Sequence, residues 1–335
     1  MANVYRKYCI EFGLRRILIQ SIFILTMLLK VKEIYNGDNR AIARAISIVE
    51  NDNDEADSLL AELYSHTGGA YRLGITGPPG AGKSTLVDNL TRLFREDGKS
   101  VGVVAVDPTS PFTGGALLGD RLRLQELSLN KEVFFRSVAS RGSTGGISKT
   151  TNEVVDILDS SGKEVIMIET VGVGQSELDV AEASDTTLVV IVPDSGDEIQ
   201  AMKAGLMEIA DIFVLNKSDH YGADIAYSGL QAMLQLREEN AWTPLIIKTS
   251  ALKNEGIDDL MKAIHEHEDW LKSENRLSER RKHRLNERVK DIIADDLDKK
   301  FWTKDKLKFL YNKINESENG TITPYTLVEE LKNLK

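Results

Sequence analysis

The sequence predicts an α/β fold: a mostly parallel β-sheet with helices on both faces, extended by further helices at each end. Two observations lead to this prediction. Short apolar runs rich in β-branched residues alternate with segments of helical periodicity, which is typical of buried parallel strands and their crossover helices. The chain has 335 residues, 41% of them hydrophobic, which is enough for one large core and appendages. The predicted strands are Tyr71–Thr76, Val101–Val106, Val165–Glu169, Thr187–Val192, Ile212–Asn216 and Leu245–Thr249.

Net charge and cysteine content exclude some functions. The formal net charge is -10, whereas a general nucleic-acid-binding protein is usually basic, so no nucleic-acid partner is expected. Cys9 is the single cysteine, so neither an internal disulfide nor a cysteine-based zinc cluster can form within the chain. This cysteine usage indicates a reducing compartment, and we expect a cytoplasmic protein.

The N-terminal segment, residues 1–36, has no assigned role. Ile17–Leu29 is almost wholly apolar but shorter than the roughly 20 residues of a comfortable membrane span, so a membrane location is not expected. A signal-peptide core, a membrane anchor and a helix packed on the body or on a partner all stay open. A start of translation at Met27 is a further interpretation.

Helical patterns flank the predicted sheet. Residues 37–70 are predicted to form a helical extension, because Ile42, Ala45, Ile46 and Val49 share one face. Residues 71–270 form the predicted nucleotide-binding domain, and residues 271–335 a charged helical segment. Two interpretations of that last segment stay open: a solvated hairpin that covers the sheet, or a dimerisation or docking arm. Its apolar stripe consists of Leu285, Val289, Ile292, Ile293 and Leu297.

A complete phosphate-loop motif follows the first predicted strand and precedes a helix, which predicts a P-loop NTPase. Its glycines let backbone N–H groups surround a β-phosphate, and the helix N-terminus adds partial positive charge. Lys83 is placed to reach the β- and γ-phosphates, Ser84 to ligate Mg²⁺, and Thr85 to bond the α-phosphate. The motif reads Gly77-Pro78-Pro79-Gly80-Ala81-Gly82-Lys83-Ser84.

A guanine-recognition motif, Asn216-Lys217-Ser218-Asp219, ends another predicted strand. The Asp219 carboxylate can accept hydrogen bonds from the guanine N1–H and 2-amino groups. Adenine has neither donor and would leave a buried carboxylate unpaired, which favours GTP over ATP. Lys217 is expected to lie along the base, and Asn216 to brace neighbouring loops.

A second guanine element follows the next predicted strand. Ser250, Ala251 and Leu252 stand there, and a backbone N–H in this turn can donate to the guanine O6. The Ser-Ala pair is a weak signal alone, and its position after the Asn-Lys-Ser-Asp strand strengthens it.

Three carboxylates are candidates for the metal side of the site. Asp107 and Glu169 end predicted strands, and Asp120 follows a glycine-rich loop. With Ser84 they provide hard oxygens suited to Mg²⁺, and the Gly172 N–H could contact a γ-phosphate. We expect Lys83, Asp107 and Glu169 to act in catalysis. The alternative for each carboxylate is a helix cap or an ion pair with a nearby arginine.

The loops around these residues are rich in Gly, Ser and Thr, as expected of segments ordered by a γ-phosphate and its Mg²⁺. Another candidate switch is rich in Asp and Glu. The four segments are Pro111–Gly119, Arg141–Gly146, Gly172–Ser176 and Val192–Lys203.

Together these motifs make the chain resemble the MeaB/ArgK/MMAA family of P-loop GTPases, of the SIMIBI class, from about Gly37 to about Trp270. The run Glu169 to Glu177, Glu-Thr-Val-Gly-Val-Gly-Gln-Ser-Glu, is the most specific carrier, beside the phosphate loop and the guanine motif. Further carriers are the runs Arg44–Asn51, Asp107–Ala116 and Leu118–Arg121. The apolar segment before Met27 has no recognised counterpart, and the tail diverges.

The resemblance implies a homodimeric metallochaperone for adenosylcobalamin-dependent methylmalonyl-CoA mutase or a related acyl-CoA mutase. In such proteins GTP binding and hydrolysis gate cofactor loading and protect the mutase. The resemblance implies that adenosylcobalamin is handled through the partner. It also implies that Asp107, Asp120 and Glu169 lie at the Mg²⁺ and switch region.

Two other functions stay open. A P-loop kinase or ATPase of the transport-system kinase type would prefer ATP and transfer phosphate to a substrate. A GTPase that inserts another metal would be expected to carry a His- or Cys-rich delivery element, whereas this chain has 5 His and one Cys.

Overall fold

The computed structural model describes residues 31–51, 55–108, 130–140, 149–170, 176–193, 204–235, 242–316 and 323–334. The apolar run Ile17–Leu29 and most of the four predicted switch segments lie outside these residues. Among the described helices, none is both long and apolar enough to cross a membrane.

Seven strands of the described residues form one parallel sheet, which confirms the predicted α/β class. Their order across the sheet is β3-β2-β4-β1-β5-β6-β7, with β1 at the centre. The strands are β1 Tyr71–Thr76, β2 Val101–Pro108, β3 Val133–Ser140, β4 Val165–Thr170, β5 Thr186–Ile191, β6 Ile212–Leu215 and β7 Leu245–Lys248.

The sequence pattern missed β3. This strand pairs with β2 alone, in the register Val101 to Val133, so it is an edge of the sheet. Arg136 and Ser137 stand in its middle, both half-buried, and they interrupt the apolar run that marks the central strands. An edge strand is covered less completely than a central one, so its sequence does not read as buried parallel sheet.

Helices connect the strands and extend the chain at both ends, and residues 31–35 are also helical. The helices are α1 Asn39–Glu50, α2 Ala56–Leu63, α3 Lys83–Glu96, α4 Lys149–Ser160, α5 Ser176–Ala183, α6 Ala204–Ile209, α7 Ala223–Gln235, α8 Ile257–Lys272, α9 Arg276–Phe301, α10 Lys304–Glu316 and α11 Pro324–Asn333. Short 3₁₀ turns cover Tyr64–His66, Ala251–Lys253 and Ser273–Asn275.

The two faces of the sheet carry different helices. Alternate strand residues such as Leu73 and Met167 pack with α3 and α8. On the opposite face, Ile166 packs with α4, while Phe213 packs with α6 and α7. Helices α1 and α2 lie over α4 and bury Ile42, so the N-terminal helical segment continues the same core.

The chain divides into two compact units between Ser278 and Glu279. The first unit contains the sheet. In the second unit, α10 and α11 pack together, Leu331 is buried, and Lys313 pairs with Glu330 at 3.2 Å. The apolar stripe of α9 is 41 to 60% exposed. The predicted boundaries after residues 36, 70 and 270 stay predictions.

Candidate nucleotide-binding site

A cavity of about 650 Å³ lies where the loops after β1, β6 and β7 meet. Because all strands are parallel, these loops leave the same edge of the sheet, at the carboxyl ends of the strands. The cavity is lined by Pro79, Gly80, Gly82, Lys83, Ser84, Thr85, Ala105, Val106, Glu169, Thr170, Asn216, Lys217, Asp219, His220, Ser250, Ala251, Leu252 and Lys253.

The loop between β1 and α3 curves around the side chain of Lys83. This lysine is 5% exposed, and its Nζ donates hydrogen bonds to the carbonyl oxygens of Gly77, at 2.8 Å, and Pro78, at 2.9 Å. Gly82 is the N-cap residue of α3, so the positive end of the helix dipole faces the same cavity. An ammonium group and a helix N-terminus at one place suit a phosphate.

Two glycines are required by the close packing of this loop. Gly77 has a φ of 136°, and a Cβ there would lie 2.1 Å from the carbonyl oxygen of Val190 in β5. Gly82 has a φ of 91°, and a Cβ there would lie 2.3 Å from Nδ2 of Asn216. The loop therefore rests directly on the neighbouring strand and on the guanine motif.

A hydrogen bond joins the start of α3 to the end of β4. Ser84 Oγ donates a hydrogen bond of 2.6 Å to Oε1 of Glu169, which is 8% exposed. A hydroxyl and a carboxylate oxygen beside the phosphate loop are hard donors of the kind Mg²⁺ prefers. These two residues therefore fit the metal.

The side chain of Asn216 joins two loops. Its Nδ2 donates to the carbonyl oxygen of Ala81 at 2.7 Å. Its Oδ1 accepts hydrogen bonds from the Ala251 N–H at 3.0 Å and the Thr249 hydroxyl at 3.1 Å. One amide thus fixes the phosphate loop relative to the turn after β7.

Asp219 lines the cavity on the side formed by the loops after β6 and β7. Lys253 Nζ lies 2.9 Å from its Oδ2. Hydrogen bonds from Lys253 and Ser250 lower the pKa of Asp219 to about 2. Lys217 adopts a φ of 54°, a left-handed conformation that costs a non-glycine residue roughly 1 kcal/mol and occurs often at functional sites.

Most of the predicted site residues line this one cavity. The exceptions in the phosphate loop are Gly77 and Pro78, whose carbonyls hold Lys83, and Ala81, which is buried. Asp107 is the seventh residue of β2 and pairs in register with Ala139. Asp120 and Gly172 lie outside the described residues.

Three polar residues of the cavity were not among the predicted site residues. Thr170, His220 and Lys253 each follow a predicted site residue by one position. For His220, its place directly after the Asn216–Asp219 motif is the signal in the sequence that could have identified it. Lys253 reaches the cavity because residues 251–253 form a 3₁₀ turn that bends back toward Asp219. Ala105 and Val106 line the cavity because the strand order places β2 next to β4.

This fold and site define a class of protein. A parallel sheet with a phosphate loop after its central strand is the P-loop NTPase arrangement, and the Asn-Lys-Ser-Asp motif at the same cavity is typical of guanine-nucleotide-binding members.

Comparison with known proteins identifies the family. The family model described as "Methylmalonyl Co-A mutase-associated GTPase MeaB" matches residues 42–306. A Pyrococcus horikoshii protein named as a GTPase is 50% identical over 274 residues, which cover 81% of this chain and 86% of the relative. The chain therefore belongs to the MeaB family and is a GTPase.

Two further proteins are similar over most of the chain. The "Methylmalonic aciduria type A homolog, mitochondrial" of Caenorhabditis elegans is 31% identical and covers 90% of this chain and 80% of its own length. A solved structure titled as an LAO/AO transport system kinase superposes with a TM-score of 0.71 at 27% identity, covering 92% of this chain and 97% of that one.

Proposed function

We propose that the cavity binds GTP with Mg²⁺, with the phosphates at Lys83 and the guanine at Asp219. One observation carries this proposal: the phosphate loop, the Ser84–Glu169 pair and an ionised Asp219 line a single cavity. Discrimination against ATP follows because adenine has neither the N1–H nor the 2-amino group that guanine donates to this carboxylate. We place the activity in the cytoplasm, in keeping with the single cysteine.

The residues of this chain supply the charge and orientation for hydrolysis. Lys83 offsets negative charge on the β- and γ-phosphates, and the N-terminus of α3 adds to it. Ser84 and Glu169 would hold Mg²⁺, with Asp107 and Asp120 as further candidates, and the metal would neutralise developing charge. The Gly172 N–H is proposed to contact the γ-phosphate. We expect slow hydrolysis in isolation, completed by a partner.

Nucleotide preference tests this assignment. By isothermal titration calorimetry, the full chain should bind GTP and GDP at least about 100-fold more tightly than ATP and ADP, as a site built for a specific hydrogen-bonded base predicts. K83A and D219A should each weaken GDP binding. D259A is the matched control, since Asp259 pairs with Lys262 on the surface and does not line the cavity. Equal affinity for ATP would contradict the guanine assignment and favour a kinase.

We further propose that the GTPase cycle serves an adenosylcobalamin-dependent methylmalonyl-CoA mutase or a related acyl-CoA mutase. The family description names an association with this mutase, and the Caenorhabditis relative is named after methylmalonic aciduria. In this proposal adenosylcobalamin is bound by the mutase, and GTP binding and hydrolysis gate its loading and protection. Co-purification with a purified mutase should depend on a non-hydrolysable GTP analogue and fail for K83A.

A homodimer formed through α9 is also proposed. The exposed stripe of this helix includes Val289 and Ile293. Its first half, residues 276–288, has five Arg and one Lys against two Glu, and its second half, residues 289–301, has four Asp against three Lys. In an antiparallel pair, the basic half of one copy would face the four Asp of the other, and the two basic halves would stay apart, with the apolar stripes between the helices. The separation of the basic halves and the exposed apolar area together support a second copy as the occupant.

A further inference from the structure

Lys253 lies at the base end of the cavity, outside the predicted guanine motifs. Its Nζ is 2.9 Å from Oδ2 of Asp219, and the Asp219 contact raises the pKa of Lys253. The lysine side chain is 54% exposed, so its packing in the core is slight. The ion pair to Asp219 is the main contact that sets the position of its ammonium group.

The turn that carries Lys253 is held firmly. Ser250 and Glu255 exchange two backbone hydrogen bonds of 3.0 and 3.1 Å across its base. The Ala251 carbonyl accepts from Asn89 of α3 at 2.8 Å, and the Ala251 N–H donates to Asn216. The start of the Lys253 side chain is therefore fixed relative to the phosphate loop as well as to Asp219.

We propose that Lys253 is a positioning residue for guanine recognition, which holds the Asp219 carboxylate in the orientation that binds the base. This inference rests on the proposed guanine site. The Asp219 carboxylate accepts hydrogen bonds from Lys253, from Ser250 and from its own backbone N–H. Lys253 is the charged donor among the three, and a charge-assisted hydrogen bond is stronger than a neutral one, so Lys253 contributes most to the orientation of the acceptor.

A positioning role differs from a structural role in how it changes base discrimination. Inosine diphosphate lacks the 2-amino group of guanine and makes one hydrogen bond fewer to Asp219. A misoriented carboxylate should therefore reduce GDP affinity more than inosine diphosphate affinity. A loss of folding would reduce both alike.

The experiment compares K253M, K253R, D219A and the double variant D219A/K253M with the wild-type full chain. Calorimetry measures the affinities for GDP and inosine diphosphate. K253M should weaken GDP binding by about tenfold and shrink the preference for GDP over inosine diphosphate by about threefold, as expected for one charge-assisted contact. K253R should stay within about twofold of wild type, because its guanidinium can reach the same carboxylate. D219A/K253M should match D219A.

The control is K262M, which removes a surface lysine paired with Asp259 at 2.8 Å and away from the cavity. It should bind both nucleotides as wild type does, and thermal melting should show K253M and K262M folded. Wild-type base preference in K253M, with D219A weakened, overturns the role of Lys253 and leaves the guanine site standing. An equal loss for both nucleotides also overturns it. Wild-type GDP binding by D219A overturns the guanine site itself.

Discussion

At the scale of single residues, the site depends on side chains that hydrogen-bond to other loops and helices of the site. Asn216 bonds the phosphate loop on one side and the turn after β7 on the other. Glu169, at the end of β4, accepts a hydrogen bond from the hydroxyl of Ser84 in α3. A buried amide or carboxylate that is hydrogen-bonded in this way favours one arrangement of its loops, because other arrangements would break these hydrogen bonds.

The phosphate-loop glycines give a prediction at this scale. G77A should destabilise the protein by about 3 kcal/mol or more, because its Cβ would overlap the Val190 carbonyl and the backbone must move. G80A is the matched variant, with a φ of 74° but nothing within 4 Å of its Cβ, and should cost only about 1 to 2 kcal/mol. Urea unfolding of both variants measures the difference. Equal losses would contradict the close approach of the loop to β5.

At the scale of elements, a buried charge network ties α4 to the start of β1. Arg72 contacts Asp156 at 3.0 Å and Asp159 at 2.9 Å, and all three are buried. Asp159 also accepts the N–H groups of Gly68, Gly69 and Ala70. This network lies at the amino end of β1, whereas the phosphate loop follows the carboxyl end, so it supports the fold at the edge opposite the cavity.

Removing Asp159 should therefore act on stability and spare the site. D159A takes one carboxylate partner from the buried Arg72 guanidinium and removes an acceptor that three backbone N–H groups share, so a loss of about 3 to 5 kcal/mol is expected. D259A, which breaks an exposed ion pair, should change stability by less than about 1 kcal/mol. Chemical denaturation measures both, and GDP affinity of folded D159A should match wild type. A loss as small as that of D259A would argue against the network.

At the scale of the whole molecule, the prediction concerns self-association through the exposed stripe of α9. V289D and I293D put charge into the exposed stripe of α9 and should weaken self-association at least about tenfold, because a charge would be buried between apolar surfaces. Light scattering after size exclusion should give twice the 37.2 kDa chain mass for wild type and the single mass for the variants.

I225D is the control for this experiment. Ile225 is 73% exposed on α7, in the first unit, so its replacement should leave the dimer unchanged. Nucleotide binding should be retained in all three variants. A monomeric wild-type chain, or dimeric V289D and I293D, would contradict the proposed interface.

Local sequence signals determined much of this protein. The alternating buried strands, the phosphate loop, and the Asn216–Asp219 run depend on short-range patterns, and the class of fold followed from them. Each of the six predicted strands is present with ends shifted by no more than two residues, as at Val165–Thr170 and Thr186–Ile191. Fraying and mixed bonding at strand ends make such shifts normal.

Only the tertiary structure decided which distant residues meet. In the edge strand β3, Arg136 and Ser137 interrupt the apolar run, and its backbone completes the ladder beside β2. The Asp219–Lys253 pair and the Asn216 bridge join loops far apart in sequence, and strand order and register set their distances. A sequence motif indicates which ligand groups a loop can bind. Whether the atoms of that loop come within hydrogen-bonding distance of another loop depends on how the strands pair.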